Sequence, residues 1–314
     1  MINKNKGKNM SIFDELEESK LLQPIMMVSG VSGSGKTTFC AEAPDNLWFP
    51  LEKGVGNIKL KMVPEKYLKK YRDFIKYLKI IRDDETTGKL FKCLTIDSFT
   101  ALYRLIEDDI FDLAQASSKT GLRPTSVNSP LHDILNFNKG EKNEIPTRFD
   151  EVMRLLCEIR DKHNVRIHII AHTSLQKSKN NVYDGLDTYS IAPEVKSPIA
   201  VLSILGLCDM NIVIDDINEK SNLDKAGVKK YVVSKTKVLR INDPRCSCKM
   251  REGYLDYNII DENDNIKTKE GDLVSIRELP IQEKNGYAIF DYLLNKEIQI
   301  LNNNNKKTTI KEEK

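Results

Sequence analysis

From Pro24 to about Lys237, short apolar runs alternate with longer stretches in which apolar residues recur at helical spacing. Ile25–Val28, Cys93–Ile96 and Val165–Ala171 are nearly continuous apolar runs of strand length, the pattern of strands buried on both faces. Asn46–Leu51, which carries the single tryptophan Trp48, and Met210–Ile214 and Tyr231–Val238 read the same way. Between them, Tyr67, Tyr71, Ile75, Leu78 and Ile81 follow Pro64 at a 3.6-like period. The sets Leu102, Leu105, Ile106, Leu113 and Phe149, Val152, Met153, Leu156, Ile159 predict two more helices, and Ile199–Leu207 another. Strand alternating with helix predicts βαβ units, hence an α/β fold with a mostly parallel sheet flanked by helices. Pro50 lacks an N–H for the ladder, so the second strand is expected near a sheet edge or at a bulge.

The pattern also sets boundaries. Residues 1–22 are polar and Lys/Asn-rich, a flexible leader; 23–242 form the core; 302–314 are a low-complexity polar tail. Residues 243–301 read as a small β-rich C-terminal extension of short strands and turns, closed by a helix from Tyr287 to Leu301. The most apolar stretch, Pro198–Ile214, is interrupted by Asp209 and Asn211, so no membrane span is expected. Six scattered cysteines behind a polar start fit free thiols in a reducing cytoplasm. Cys246 and Cys248 have no second pair of ligands near them in sequence to complete a zinc site. Charge excludes one more class: 49 Lys+Arg against 46 Asp+Glu leaves a formal +3, too little for a protein that binds nucleic acid by bulk electrostatics.

Chemistry enters with Gly30-Val31-Ser32-Gly33-Ser34-Gly35-Lys36-Thr37-Thr38, a full match to the phosphate-binding loop, placed after an apolar strand and before a helix. Glycines permit the backbone angles that turn successive N–H groups inward, and phosphate oxygens fill such a nest. Lys36 is placed to bridge phosphates, Thr37 to coordinate Mg²⁺, and Thr38 to touch a phosphate or cap the helix. ATP and Mg²⁺ are the expected cofactors. A second oxygen donor for the metal is expected at the end of an apolar strand, and Asp97 occupies that position, with Ser98 read as the cap of the next helix.

These residues carry a resemblance. The loop Gly30–Thr38, the strand end Leu51-Glu52, the run Thr95-Ile96-Asp97-Ser98-Phe99-Thr100-Ala101-Leu102 and the strand end Ile169-Ile170-Ala171-His172 are similar to the RecA-like, AAA-type ATPases carried by phages, among them RecA-like single-strand annealing recombination proteins. The resemblance implies a RecA-like P-loop core whose phosphate-loop strand lies beside the sensor strand. It implies that Glu52 polarises the attacking water, although a solvated loop carboxylate is the plain alternative. His172 takes the place of a polar γ-phosphate sensor, the alternative being a core or capping histidine. His168 and His172 on one strand would stand about 13 Å apart, too far to share a metal ion. Lys235 and Lys237 resemble the Lys-x-Lys strand that reaches the nucleotide of a neighbouring subunit, and lysines guarding an edge strand would look the same.

The implied partners are copies of the chain itself in a ring or filament, single-stranded DNA, and phage recombination or replication proteins, in a host cytoplasm. DNA loops would carry Lys119, Arg123, Lys139, Lys142 and Arg148, then Lys177, Lys179 and Tyr183; basic loops are also simply solvated. The face of the Pro64 helix with Lys66, Lys69, Lys70, Arg72 and Lys76 reads as solvated. A P-loop kinase and a nucleotide-dependent adaptor without hydrolysis are the competing functions.

Overall fold

The computed structural model describes residues 20–117, 144–177, 189–193, 204–225, 228–241, 243, 246, 248–255, 265–267, 273–275, 278–281 and 285–300. The leader up to residue 19, the tail, and Lys119, Arg123, Lys139, Lys142, Lys179 and Tyr183 lie outside the described residues.

Side chains alternate across a strand, and β1 (Ile25–Gly30) shows what that dictates. Ile25 and Met27 enter one apolar cluster, Met26 and Val28 another, and all four are fully buried. A strand covered on both faces must be apolar at every position, which is why this run shows no alternation. In chain order follow α1 (Lys36–Ala41), β2 (Asn46–Pro50), β3 (Lys61–Met62), α2 (Tyr71–Asp83), α3 (Thr87–Leu90), β4 (Cys93–Asp97) and α4 (Phe99–Ser117). A helix over Glu144–His163 leads to β5 (Arg166–Lys177), β6 (Tyr189–Pro193), β7 (Met210–Lys225), β8 (Val228–Arg240) and β9 (Lys249–Met250). β10 (Asn265–Lys267), β11 (Leu273–Ser275), β12 (Leu279–Pro280) and a helix over Gly286–Leu293 complete the described elements.

The main sheet runs β12-β8-β7-β1-β5-β4-β2-β3. β7, β1, β5, β4, β2 and β3 are mutually parallel; β8, β12, β6 and β9 add antiparallel partners. This is an α/β fold with a mostly parallel sheet, and β1 lies beside β5 as the resemblance implied. One face packs on α2, α4 and the Glu144–His163 helix, the other on α1 and the Gly286–Leu293 helix. No helix among the described residues is long and apolar enough to cross a membrane.

Pro50 sits where its missing N–H costs nothing. β2 pairs with the two-residue β3 only through Leu47 and Trp48, so no ladder partner faces Pro50 on that side. The helix expected from Pro64 starts later, at Tyr71, after a 3-10 turn over Glu65–Tyr67. Tyr67 stacks on Tyr77 with ring centroids 4.8 Å apart. In one continuous helix, residues ten apart would be separated by about 15 Å along the axis, so that stack requires the break.

β7 and β8 are longer than their apolar runs. β1 pairs with β7 no further than Gly30↔Ile214, while β7 and β8 pair onward from Asp215↔Val238 to Lys225↔Val228. Beyond Ile214 they form a two-stranded ribbon leaving the sheet beside the phosphate loop. The extension at 243–301 supplies short strands and is also tied into the core. Tyr287, Phe290, Leu293, Leu294 and Ile298 share a cluster with Val28, Phe39 and Trp48. The Arg166 guanidinium and the Asp291 carboxylate, both fully buried, form an ion pair across it.

Candidate functional site

β1 ends at Gly30 and α1 starts at Lys36, and the intervening loop folds as its glycines permit. A Cβ on Gly30 would lie 2.5 Å from the Ile214 carbonyl oxygen and 2.5 Å from Ser34 Oγ, so only hydrogen fits there. Gly33 and Gly35 take left-handed φ values of 80° and 97°. The Ser34 N–H donates to the Val31 carbonyl at 3.2 Å, closing the turn. Val31 and Ser32 are exposed at its tip, and Thr38 is exposed on α1. Lys36 is buried, and its Nζ donates to the carbonyls of Gly30 at 2.9 Å and Val31 at 2.8 Å. Burial pulls its pKa down, against the opposing pull of Asp97 and Glu52.

Parallel strands end side by side, which brings the other candidates to this loop. Asp97 closes β4 and lies buried, with Thr37 Oγ1 donating to its Oδ2 at 3.4 Å. Burial first, then the neighbouring Glu52 charge, push the Asp97 pKa up to about 6, with the Thr37 hydrogen bond, His172 and Lys36 opposing. The Asp97 carbonyl accepts from the N–H groups of Leu51 at 2.7 Å and Glu52 at 3.0 Å, so the chain after β2 is fixed against β4. Both Glu52 carboxylate oxygens are engaged: Ser98 Oγ donates to Oε1, and His172 Nε2 lies 3.3 Å from Oε2. His172 is level with Gly30 in the β1–β5 register. It stands inside β5 rather than at its end, because β6 continues the ladder from Thr173 to Lys177.

The structure therefore brings Lys36, Thr37, Asp97, Glu52 and His172 together. Lys235 is at a β8 register position opposite Asn218. Lys237 lies over the loop of its own chain, its Nζ and Cε each 3.4 Å from where a Gly35 Cβ would be. Ser98 holds Glu52, a role that the helix-cap reading missed; its position next to Asp97 was the available signal. His168 is a core residue, with Nδ1 3.0 Å from Thr95 Oγ1 and Nε2 3.0 Å from Tyr287 Oη. Arg148 is not a DNA-loop residue: it lies on the Glu144–His163 helix, pairs with Asp109 and covers the Tyr71 ring. Among the described residues, no group of three or more His, Cys, Asp or Glu could hold a metal ion.

A glycine-built loop between a central parallel strand and a helix, with a lysine and a strand-end aspartate facing it, defines a P-loop protein of the α/β class. The AAA domain family matches residues 23–184, more than half of the chain, and the chain belongs to that family. The solved structure of the RadB recombinase is similar at 16% identity, over 71% of this chain and 84% of that one, with a TM-score of 0.35, too loose a fit to bear on any residue. No curated protein matches the chain.

Proposed function

We propose that this protein is an ATPase with a RecA-like core that binds Mg·ATP, assembles with copies of itself and acts on single-stranded DNA in phage-type recombination or replication. The observation that carries the nucleotide reading is the convergence of Lys36, Thr37, Asp97 and Glu52 at the loop after β1. The donor set fits the two cofactors. Ser34 Oγ is buried without a hydrogen-bond partner among the described residues, inside a loop whose left-handed glycines suit a phosphate nest. The Thr37 hydroxyl and the Asp97 carboxylate are the hard oxygen donors that Mg²⁺ prefers. When bound, Mg²⁺ supplies charge neutralisation across the phosphate oxygens.

The chain's own residues do the rest. Lys36 exchanges the Gly30 and Val31 carbonyls for phosphate oxygens. Glu52, oriented by Ser98 and His172, accepts a proton from water as the water oxygen bonds to the γ-phosphorus and the bond to the bridging oxygen breaks. His172 touches both the water-activating carboxylate and, through the strand register, the start of the loop, a placement suited to sensing the γ-phosphate. The DNA and self-assembly parts rest on the resemblance in sequence.

ATP turnover with and without single-stranded DNA, across a salt series, tests the reading. Lys36→Ala is expected to lose nucleotide binding. Glu52→Gln is expected to bind ATP and turn over about 10² to 10⁴ times more slowly. Stimulation by DNA should fall steeply with salt. Wild type that binds without turnover, DNA present, would replace the ATPase by a nucleotide-ordered adaptor. ADP formed only when an acceptor is added would point to a kinase.

A further inference from the structure

Strand register decides where Lys237 points. β8 pairs with β7 so that Lys237 is opposite Asp216, and its carbonyl accepts from the Ile281 N–H at 2.9 Å, just after β12. The backbone at Lys237 is thus held from both sides, by β7 and by the chain leaving β12. This position is two residue pairs beyond Ile214, the last β7 residue paired with β1. The side chain therefore starts beside the end of the strand that delivers the phosphate loop.

The side chain lies on the loop itself. Cε and Nζ are each 3.4 Å, and Cδ 3.8 Å, from the point a Gly35 Cβ would occupy, ordinary contact distances. Among the described residues Lys237 makes no ion pair. An ammonium laid on a phosphate loop without a carboxylate partner is a cation placed for an anion. Lys36 reaches the loop at the Gly30 and Val31 carbonyls and Lys237 at Gly35, so both charges lie on the same turn.

We infer that Lys237 binds the phosphate chain of the nucleotide held by its own subunit, in cis, as a second cation beside Lys36. The inference rests on the ATPase reading and reverses one part of the resemblance, which hands this lysine to the neighbouring subunit. It also gives the ribbon a use: contact with nucleotide at its root would be felt along β7 and β8, which leave the site as a paired arm.

The test uses the full chain and ADP or a slowly hydrolysed ATP analogue as probe. Lys237→Met keeps the apolar stem over Gly35 and removes the charge; Lys237→Arg keeps the charge. Lys237→Met is expected to weaken nucleotide binding about tenfold, to flatten its salt dependence and to melt within a few degrees of wild type, and Lys237→Arg to restore most of the affinity. A melting point that moves with no change in affinity would make the residue structural and overturn the inference. Mixing Lys36→Ala with Lys237→Met chains separates cis from trans. Cis action leaves no complete site and no recovered turnover, whereas recovered turnover would overturn cis action and leave the ATPase reading standing. Wild type without affinity for any nucleoside triphosphate would overturn both.

Discussion

Asp291→Ala is the sharpest perturbation of the fold, because it strands a charge that has no route to water. Arg166 and Asp291 are both fully buried. Burial pulls the guanidinium pKa down, and Tyr287 and Asp291 beside it outweigh that and hold it above the ordinary value. After the substitution Arg166 keeps neutral partners only: Tyr287 Oη at 2.9 Å, Gln23 Oε1 at 3.2 Å and the Ile298 carbonyl. The Ile300 N–H also loses its acceptor, Asp291 Oδ2 at 2.8 Å. Removing one partner of a buried pair costs about 3–5 kcal/mol, and the orphaned amide about 1 more, so a loss of roughly 5 kcal/mol is expected. For a chain of this size that lowers the melting point by roughly 8 °C. Urea unfolding followed through the emission of Trp48, fully buried in the same cluster, measures it. Replacing both partners, Arg166→Met with Asp291→Leu, should return stability to within about 1–2 kcal/mol of wild type, since no charge is then left unpaired. An Asp291→Ala loss below about 1 kcal/mol at unchanged slope would refute the reasoning and detach residues 285–300 from the cooperative core.

Three further outcomes follow from single contacts. Ser98→Ala frees Glu52 Oε1, so turnover should fall while nucleotide affinity holds; equal loss in both would make Ser98 a folding residue. Burial first, and then the Arg166 charge, hold the His168 pKa down to about 3. The unfolded imidazole takes a proton below about pH 6.5 and the native one only near 3, so stability should drain as pH falls through that window, by about 2 kcal/mol at pH 5. His168→Gln should flatten that part of the acid titration, and an unchanged slope would reject the assignment. Gly30→Ala drives a methyl to 2.5 Å from the Ile214 carbonyl and should cost about 1–3 kcal/mol together with nucleotide binding; Gly33→Ala, with open space around it but a φ of 80°, should cost about 1–2 kcal/mol through backbone strain alone. A Gly30→Ala variant with wild-type stability would contradict the close β1–β7 approach.

What could be read from the sequence was whatever depends on near neighbours. The phosphate loop is one contiguous strand-turn-helix, and the core strands and major helices declared themselves because burial on two faces or one stripe leaves its period in the residues. Helix and strand ends were less visible: the Tyr67–Tyr77 stack breaks the helix expected from Pro64, and β6 prolongs β5 past His172. Only half of the β7–β8 ribbon was legible: Tyr231–Val238 carries an apolar run, whereas the facing Asp215–Lys225 is mostly polar and gave no strand signal.

The site follows the same rule. Glu52 is oriented by Ser98 and His172, 46 and 120 residues away, and no local pattern encodes that both of its oxygens are held. Lys237 is harder still, since the side of the sheet it serves is set by register, and a slip of one residue in β8 would turn it to the opposite face. A family pattern can supply the residue types, Lys-x-Lys among them, yet the subunit whose nucleotide they meet depends on how far two strands run together beyond the sheet. Here the pairing is anchored by β12 on one side and β7 on the other, and that anchoring, more than the identity of the lysine, is what places its charge on Gly35.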